Sequence, residues 1–502
     1  MAQRLLELMA RFFGVIDWRI PEHLAAALLA CGFAMIGRLV AGNRGRRRLA
    51  SVSSFLAGLG VVGLAFFPLS RVIGASALNL TTLVVSAFGV AFVALAAVRS
   101  IRRFRAGVPA PQFRHIFLSW DWQSRTATAI IALFLLQFAI FNLRMSYVWD
   151  GFQIWATKAL ILYERGEVTR DFLVPDRREF LAGYPHLIPL YEAMLNKLVG
   201  RFEWHSLKPV FLVFFVCLLV SVYRLSRNLL PAGYALIATA IVASLPAVAT
   251  GYSTGGYADM PLAAFATAGA ACLSEPKARG RPFCWIIAGM LFVKSEATIL
   301  ALIFVAAIAV FWALAGRNRV SRGAREHWPA IIVIACALAV RQWELRWTEA
   351  VSLTYGPLDA AHFRRAAELI WHVPQLCASY AFSIADWGLL WPAFLIAAPL
   401  LLLIGSRLER TLAAASCAAL GAYMSIFYFT NWPVHLHIDQ AIMRLLTHVA
   451  PIATVLVVCG WLRLNGAEAA KHGNPQPGGT DSRIAVGEAL LDRPRENAGP
   501  SN

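Results

Sequence analysis

The sequence predicts an all-α polytopic membrane protein, a bundle of about thirteen transmembrane helices joined mostly by short loops. Three observations predict it. Of 502 residues, 59% are hydrophobic and only 15% charged, outside the range of soluble domains. Apolar runs of about 17 to 25 residues recur along the chain, each long enough to cross a bilayer as a helix. The basic residues behind the formal net charge of +18 are divided among short segments between those runs. They form no basic domain that could follow a phosphate backbone, which excludes nucleic acid and makes membrane lipids the expected surroundings.

The elements follow in chain order. Arg4 and Arg11 among Leu5, Leu6, Leu8, Met9, Phe12 and Phe13 have helical period and no small-residue cleavage site, so the N-terminus is expected to be an interfacial helix. Basic clusters at Arg44–Arg48, Arg99–Arg125, Arg224–Arg227, Lys277–Arg281, Arg317–Arg325 and Arg407–Arg410 are all expected on the cytoplasmic side. One set of spans satisfies all six: 22–41, 50–69, 76–98, 126–143, 207–223, 233–250, 258–274, 282–293, 297–315, 328–344, 384–404, 412–430 and 444–463. The N-terminus is then outside and the C-terminus inside. The run from 282 to 314 is either two spans, one long bent helix or a re-entrant pair. After Arg463 the chain is Gly, Pro, Asn and charge, too polar to bury a core, and 464–502 is expected to be a disordered cytoplasmic tail. The eight cysteines show no close pairing, and no disulfide framework or thiolate metal site is implied.

This topology gathers the polar insert 144–206, the turn near Gly251–Asp259, Lys294-Ser295-Glu296 and the loops near 345–383 and 431–443 on the extracytoplasmic face. Carboxylates at a membrane boundary are costly and usually functional. Asp150 after Trp149 is either a general base or a cap for a helix starting at Gly151. Residues 151–165 have amphipathic spacing and are expected to lie on the membrane surface, with Lys158 and Arg165 at a lipid phosphate or simply snorkelling. Asp259, after Ser253-Thr254-Gly255-Gly256-Tyr257 and before Pro261, is either a helix cap or a pocket wall for a sugar or metal. Lys294 and Glu296 interrupt an apolar run, so they are expected to pair with each other or with a ligand. Arg341, Glu344, Arg346 and Glu349 read as an ion-pair rim, and Arg444 as an anion holder at the mouth of the last span. His435-x-His437 is a weak metal signal without partner spacing.

Residues 126 to about 460 resemble the GT-C superfamily of membrane glycosyltransferases that use polyprenyl-phosphate sugars. The likeness is to the group of dolichyl-phosphate-mannose protein mannosyltransferases and lipid A aminoarabinose transferases. It rests on Trp149-Asp150-Gly151 with Trp155 and Lys158, on Tyr184-Pro185-His186-Leu187-Ile188-Pro189-Leu190, on Gly256-Tyr257-Ala258-Asp259-Met260-Pro261-Leu262, on Lys294-Ser295-Glu296, and on Arg444-Leu445-Leu446 before Pro451. The resemblance implies a GT-C-like bundle over 126–463 whose large first extracytoplasmic loop, 144–206, carries juxtamembrane helices. Residues 1–125, with three extra spans, have no counterpart, and the large soluble C-terminal domain of many relatives is missing.

The resemblance further implies transfer of a sugar from a polyprenyl-phosphate donor to a glycan, lipid or protein acceptor. Asp150 would be the catalytic base and Asp259 a second catalytic carboxylate. Lys158, Tyr184, His186, Lys294, Glu296 and Arg444 would frame the substrate and its phosphate, with Trp149 and Trp155 stacking on the sugar. A divalent cation shared by Asp150 and Asp259 is an open expectation. A bacterial inner membrane is the expected location, and a transporter or flippase of lipid-linked sugars is the rival function.

Overall fold

The computed structural model describes residues 20–41, 51–106, 121–144, 146–170, 182–204, 208–250, 253–275, 281–313, 317–350 and 360–466. The expected N-terminal interfacial helix, the Arg44–Arg48 cluster, most of Lys277–Arg281 and nearly all of the tail lie outside them. The chain divides into two units, Met1–Trp461 and Leu462–Asn502.

Among the described residues the protein is all-helical. The first four helices are α1 (Ile20–Ala41), α2 (Ser51–Ile73), α3 (Ser76–Arg105) and α4 (Trp122–Arg144). The insert contributes a π-helical turn, Gly151–Ala156, continued by α5 (Thr157–Arg165), and then α6 (Leu187–Val199). Next come α7 (Pro209–Leu229), α8 (Ala232–Ser244), α9 (Asp259–Ser274), α10 (Arg281–Met290), α11 (Ala297–Ala313) and α12 (Arg317–Trp347). Two short helices, α13 (Ala360–Glu368) and α14 (His372–Ala381), precede α15 (Leu390–Ile404), α16 (Arg407–Ile426) and α17 (Val434–Leu464).

Seven of these helices, α1, α2, α3, α4, α7, α16 with its 3₁₀ extension, and α17, are long and apolar enough to cross a membrane. Their outer faces carry the side chains a bilayer takes up: Leu83 on α3 is 67% exposed and Leu133 on α4 is 60% exposed. Local signals place the helix ends. Asp121 accepts the Ser124 N–H at 2.7 Å at the start of α4, Pro209 opens α7, and Ser406 with Glu409 makes a reciprocal capping box on α16.

The run from 282 to 314 is broken. α10 is 10 residues long, about 15 Å or half a bilayer. The chain then turns through Leu291–Glu296 before α11 starts at Ala297. The turn is closed by hydrogen bonds of its own, Val293 N–H to the Met290 carbonyl and Ala297 N–H to the Lys294 carbonyl. Irregular backbone at such depth is tolerated because protein surrounds it: Leu291, Phe292, Val293 and Lys294 are all buried.

The first three helices pack into the rest of the unit. At the crossing of α2 and α10, a Cβ on Gly289 would lie 2.7 Å from the Gly60 Cα, so the two backbones meet directly, as small residues allow in membrane helices. Tyr191 on α6 donates to the Ala26 carbonyl of α1 at 2.8 Å. Polar contacts also tie helix ends together in two groups. Arg224 and Asn228 near the end of α7 bond Glu275 at 2.6 Å and Ser274 at 2.5 Å at the end of α9. The starts of α7 and α9 meet at the other end of these helices, where Lys208 donates to the Thr254 carbonyl, and there the candidate site is built.

Candidate active site

Four segments deliver charged side chains to one place: the start of the π turn (Asp150), the start of α9 (Asp259), the break between α10 and α11 (Lys294, Glu296), and the third to fifth turns of α17 (Arg444, His448). Asp259 is the hub. Its Oδ1 accepts from Lys294 Nζ at 2.6 Å and His448 Nε2 at 2.9 Å, and its Oδ2 from Arg444 Nε at 3.2 Å. Lys294 also pairs with Glu296 at 3.1 Å. Arg444 continues outward, Nη1 donating to Asp150 Oδ2 at 2.6 Å, with its guanidinium 4.7 Å from the Tyr257 ring centre. The Tyr423 hydroxyl lies 2.9 Å from His448 Nδ1, which suits a neutral ring that donates from Nε2 and accepts at Nδ1.

Burial grades along this chain. The side chains of Asp259 and Lys294 are each 2% exposed, Arg444 is 12% and Asp150 31%. A buried network of five charges and a histidine thus opens at the Asp150 end. Neither aspartate is a helix cap: Asp150 makes no side-chain bond to the turn it precedes, and Asp259 sits inside α9 behind an uncapped Ala258. The capping alternative is therefore set aside for both.

The local backbone explains how Asp150 reaches Arg444. A Cβ on Gly151 would stand 2.1 Å from the Gly255 carbonyl oxygen, and Val148 N–H bonds that same carbonyl at 3.1 Å. Gly256 takes φ +87° with the Tyr147 ring directly against it. The two glycine motifs are the two sides of one contact, which brings the 253–256 turn and the Trp149-Asp150-Gly151 corner together. Trp149 has φ +36°, a left-handed value a bulky residue rarely adopts. Such strain collects at sites where the surroundings hold it in place.

Behind the turn, Lys208 donates to the Thr254 carbonyl, lies 4.8 Å from the Tyr147 ring centre, and faces Glu192, whose Oε1 accepts from Tyr147 at 3.0 Å. Burial pushes Glu192 up to about 8 and Lys208 down to about 7, each opposed by the other.

The remaining expected residues form a second group. Lys158 and Arg341 donate to the Tyr184 and Gly183 carbonyls, and Trp155 packs edge-on to Tyr184 at 5.4 Å. His186 places Nδ1 2.9 Å from Glu344 and Nε2 3.0 Å from the Gly63 carbonyl. These contacts pin the Tyr184-Pro185-His186 segment among α2, α5 and α12. Burial bears on several of these residues. Lys158 is buried, which brings its ammonium down to about 8 against the pull of Glu344. His186 and Trp155 are both 0% exposed, whereas Trp149 is 73% exposed. Arg341 and Glu344 are a buried pair at 2.7 Å, not a surface rim.

His448, Tyr423, Glu192 and Lys208 escape a reading by motif. His448 had a signal, since it stands four residues after Arg444 and so on the same helix face. The others are joined to the site only by the fold. Among the described residues no group of three or more His, Cys, Asp or Glu side chains is placed to hold a metal ion. The Arg444 guanidinium bridges Asp150 and Asp259 where a shared divalent cation would lie, so these residues do not fit one. His437 hydrogen-bonds Thr430 at 2.8 Å between the rings of Phe427 and Trp432. Comparison of the chain with protein-family profiles, curated proteins and solved structures finds no match.

Proposed function

We propose that this protein is an integral-membrane glycosyltransferase that moves a sugar from a polyprenyl-phosphate donor to an extracytoplasmic acceptor, with inversion and with Asp150 as general base. The observation that carries the reading is the Asp150–Arg444–Asp259–Lys294 chain of ion pairs, which runs from a part-exposed carboxylate to a buried one. A sugar on a lipid phosphate has its leaving group at headgroup level, so the reaction needs a cation for the phosphate and a carboxylate across the anomeric carbon. Arg444 and Asp150 supply that pair of groups at the mouth of the network.

In the proposed reaction Asp150 takes the proton of the acceptor hydroxyl as its oxygen bonds to the anomeric carbon. The bond from that carbon to the phosphate oxygen breaks, and its electron pair leaves with the polyprenyl phosphate. Arg444 offsets the charge that develops there, while Lys294 and His448 hold Asp259 so that Arg444 keeps its place. Trp149 offers a ring for the sugar face. The outward face of the site, the cytoplasmic basic loops and a bacterial inner membrane belong to the same proposal.

One observation favours the rival class: a broken helix with charged residues at the break, as between α10 and α11, is also how transporters form binding sites. Purified protein and Asp150→Asn are to be incubated with radiolabelled polyprenyl-phosphate sugars and an envelope extract. The transferase reading expects label in an acceptor with wild type, and at least a ~100-fold loss with a folded Asp150→Asn protein. Donor left intact but moved across proteoliposomes would replace it with the transporter.

A further inference from the structure

The guanidinium of Arg444 has one held end and one exchangeable end. Nε is bound to Asp259, which is closed in and tied by Lys294 and His448. The Tyr257 ring lies beside the guanidinium. Nη1 is bound instead to Asp150, the most exposed carboxylate of the network at 31%, on a corner whose preceding residue is strained. Nη2 makes no hydrogen bond among the described residues. Nη1 and Nη2 together are the fork that grips two oxygens of one phosphate, in preference to a single carboxylate oxygen.

We infer that Asp150 and a phosphate group compete for this fork. In the resting protein Asp150 occupies Nη1; a phosphate seated on Nη1 and Nη2 displaces it, and the released Oδ2 has a lone pair open for the acceptor proton. Donor binding would thereby release the base, and the protein without donor would keep Asp150 Oδ2 tied to Arg444. The inference rests on the transferase reading for what the phosphate carries, though the exchange itself does not depend on it. The charge count makes the competition testable. Asp150, Asp259 and Glu296 face Lys294 and Arg444, three negative groups against two positive, so an anion is accepted only if one carboxylate gives up its claim.

The test is calorimetric titration in detergent of wild type, Asp150→Asn, Glu296→Gln and Arg444→Gln with farnesyl phosphate and, separately, with inorganic phosphate. Asp150→Asn is expected to bind farnesyl phosphate about fivefold tighter than wild type, the upper worth of a part-exposed Arg–carboxylate pair. Glu296→Gln removes an equal charge without removing the competitor, and is expected to change the affinity by less than about threefold. Arg444→Gln is expected to lose binding at least about tenfold. Tightening toward farnesyl phosphate alone identifies a lipid-linked phosphate as the ligand; equal tightening toward inorganic phosphate identifies a headgroup site. Equal effects of Asp150→Asn and Glu296→Gln, or no tightening with Asp150→Asn, overturn the exchange. Asp150→Ser serves as the second variant should the amide fail to fold. Tightening without any glycosyl transfer keeps the exchange and removes the transferase, so the two ideas fail separately.

Discussion

At the scale of single residues the site depends on Asp259, which nothing at the surface would reveal. Two cations and a histidine converge on it, and removing it takes away the buried counter-charge that Lys294 and Arg444 share, leaving each only its more exposed partner, Glu296 or Asp150. Asp259→Ala is therefore expected to cost about 3–5 kcal/mol in thermal or denaturant unfolding in detergent. Lys294→Met in the same chain should recover part of it, because a neutral side chain no longer needs the carboxylate. Tyr423→Phe deletes only one buried hydrogen bond, to His448, and should cost about 1 kcal/mol. A double-mutant cycle between the two positions separates a coupled network from independent contacts. Asp150, Asp259, Lys294, Glu296 and Arg444 were legible in the sequence because charge next to an apolar run is expensive and therefore conspicuous. Lys158 and His186 were legible as unusual residues but not as buried ones. Their partners Glu344, Gly63 and the Tyr184 carbonyl come from distant segments, and no spacing along the chain encodes that meeting.

At the scale of elements, the 253–256 turn is held by the start of α7 and by α6, through Lys208, Tyr147 and Glu192. Their titration gives this brace a signature. Glu192 is raised in the folded protein from 4.5 to about 8, so the folded state holds its proton more tightly, and the stability it contributes is full below about 4.5 and lost as pH rises through 8. Lys208 is lowered from 10.5 to about 7, so its contribution is present above 10.5 and lost as pH falls through 7. The two together place a stability minimum between about pH 7 and 8. Glu192→Gln keeps an acceptor for Tyr147 and removes the falling limb, so its unfolding free energy should stay level from pH 5 to 7 while that of wild type drops by about 3 kcal/mol, and should rise above pH 7 with the Lys208 limb alone. A gap between the two proteins that is the same at pH 5 and pH 8 would exclude the brace as the source. The helices themselves were easier to foresee than this brace, since each of the long apolar stretches from α1 to α17 announces itself by composition. The break at Leu291–Glu296 was visible as polar residues within an apolar run, but its form, a half-length helix ended by a closed turn, depends on the cover given by α2 and α12. The π turn at Gly151–Ala156 has no compositional mark at all.

At the scale of the whole molecule, the arrangement sorts charge by helix end. Asp150, Asp259, Lys294 and Arg444 gather where α7 and α9 begin, and Arg224 with Glu275 where those helices end, some 20 to 30 Å further along at 1.5 Å per residue. If basic segments stay on the cytoplasmic side, the site faces out, where no nucleotide-sugar pool exists and a lipid-linked donor is the appropriate substrate. Labelling with a membrane-impermeant maleimide tests that orientation directly. Cys336 and Cys417 are exposed, so all eight native cysteines are first replaced by alanine or serine. In that background Trp149→Cys, at an exposed position beside Asp150, should react in intact cells, whereas Arg410→Cys at the start of α16 should react only after permeabilisation. The reverse pattern would put Asp150 on the cytoplasmic face, opposite to the positive-inside expectation, and would remove the argument for a lipid-linked donor. Reaction of both in intact cells would mean that α16 and α4 do not open to opposite sides, and the bundle would have to be threaded through the membrane differently from the way its charges are sorted.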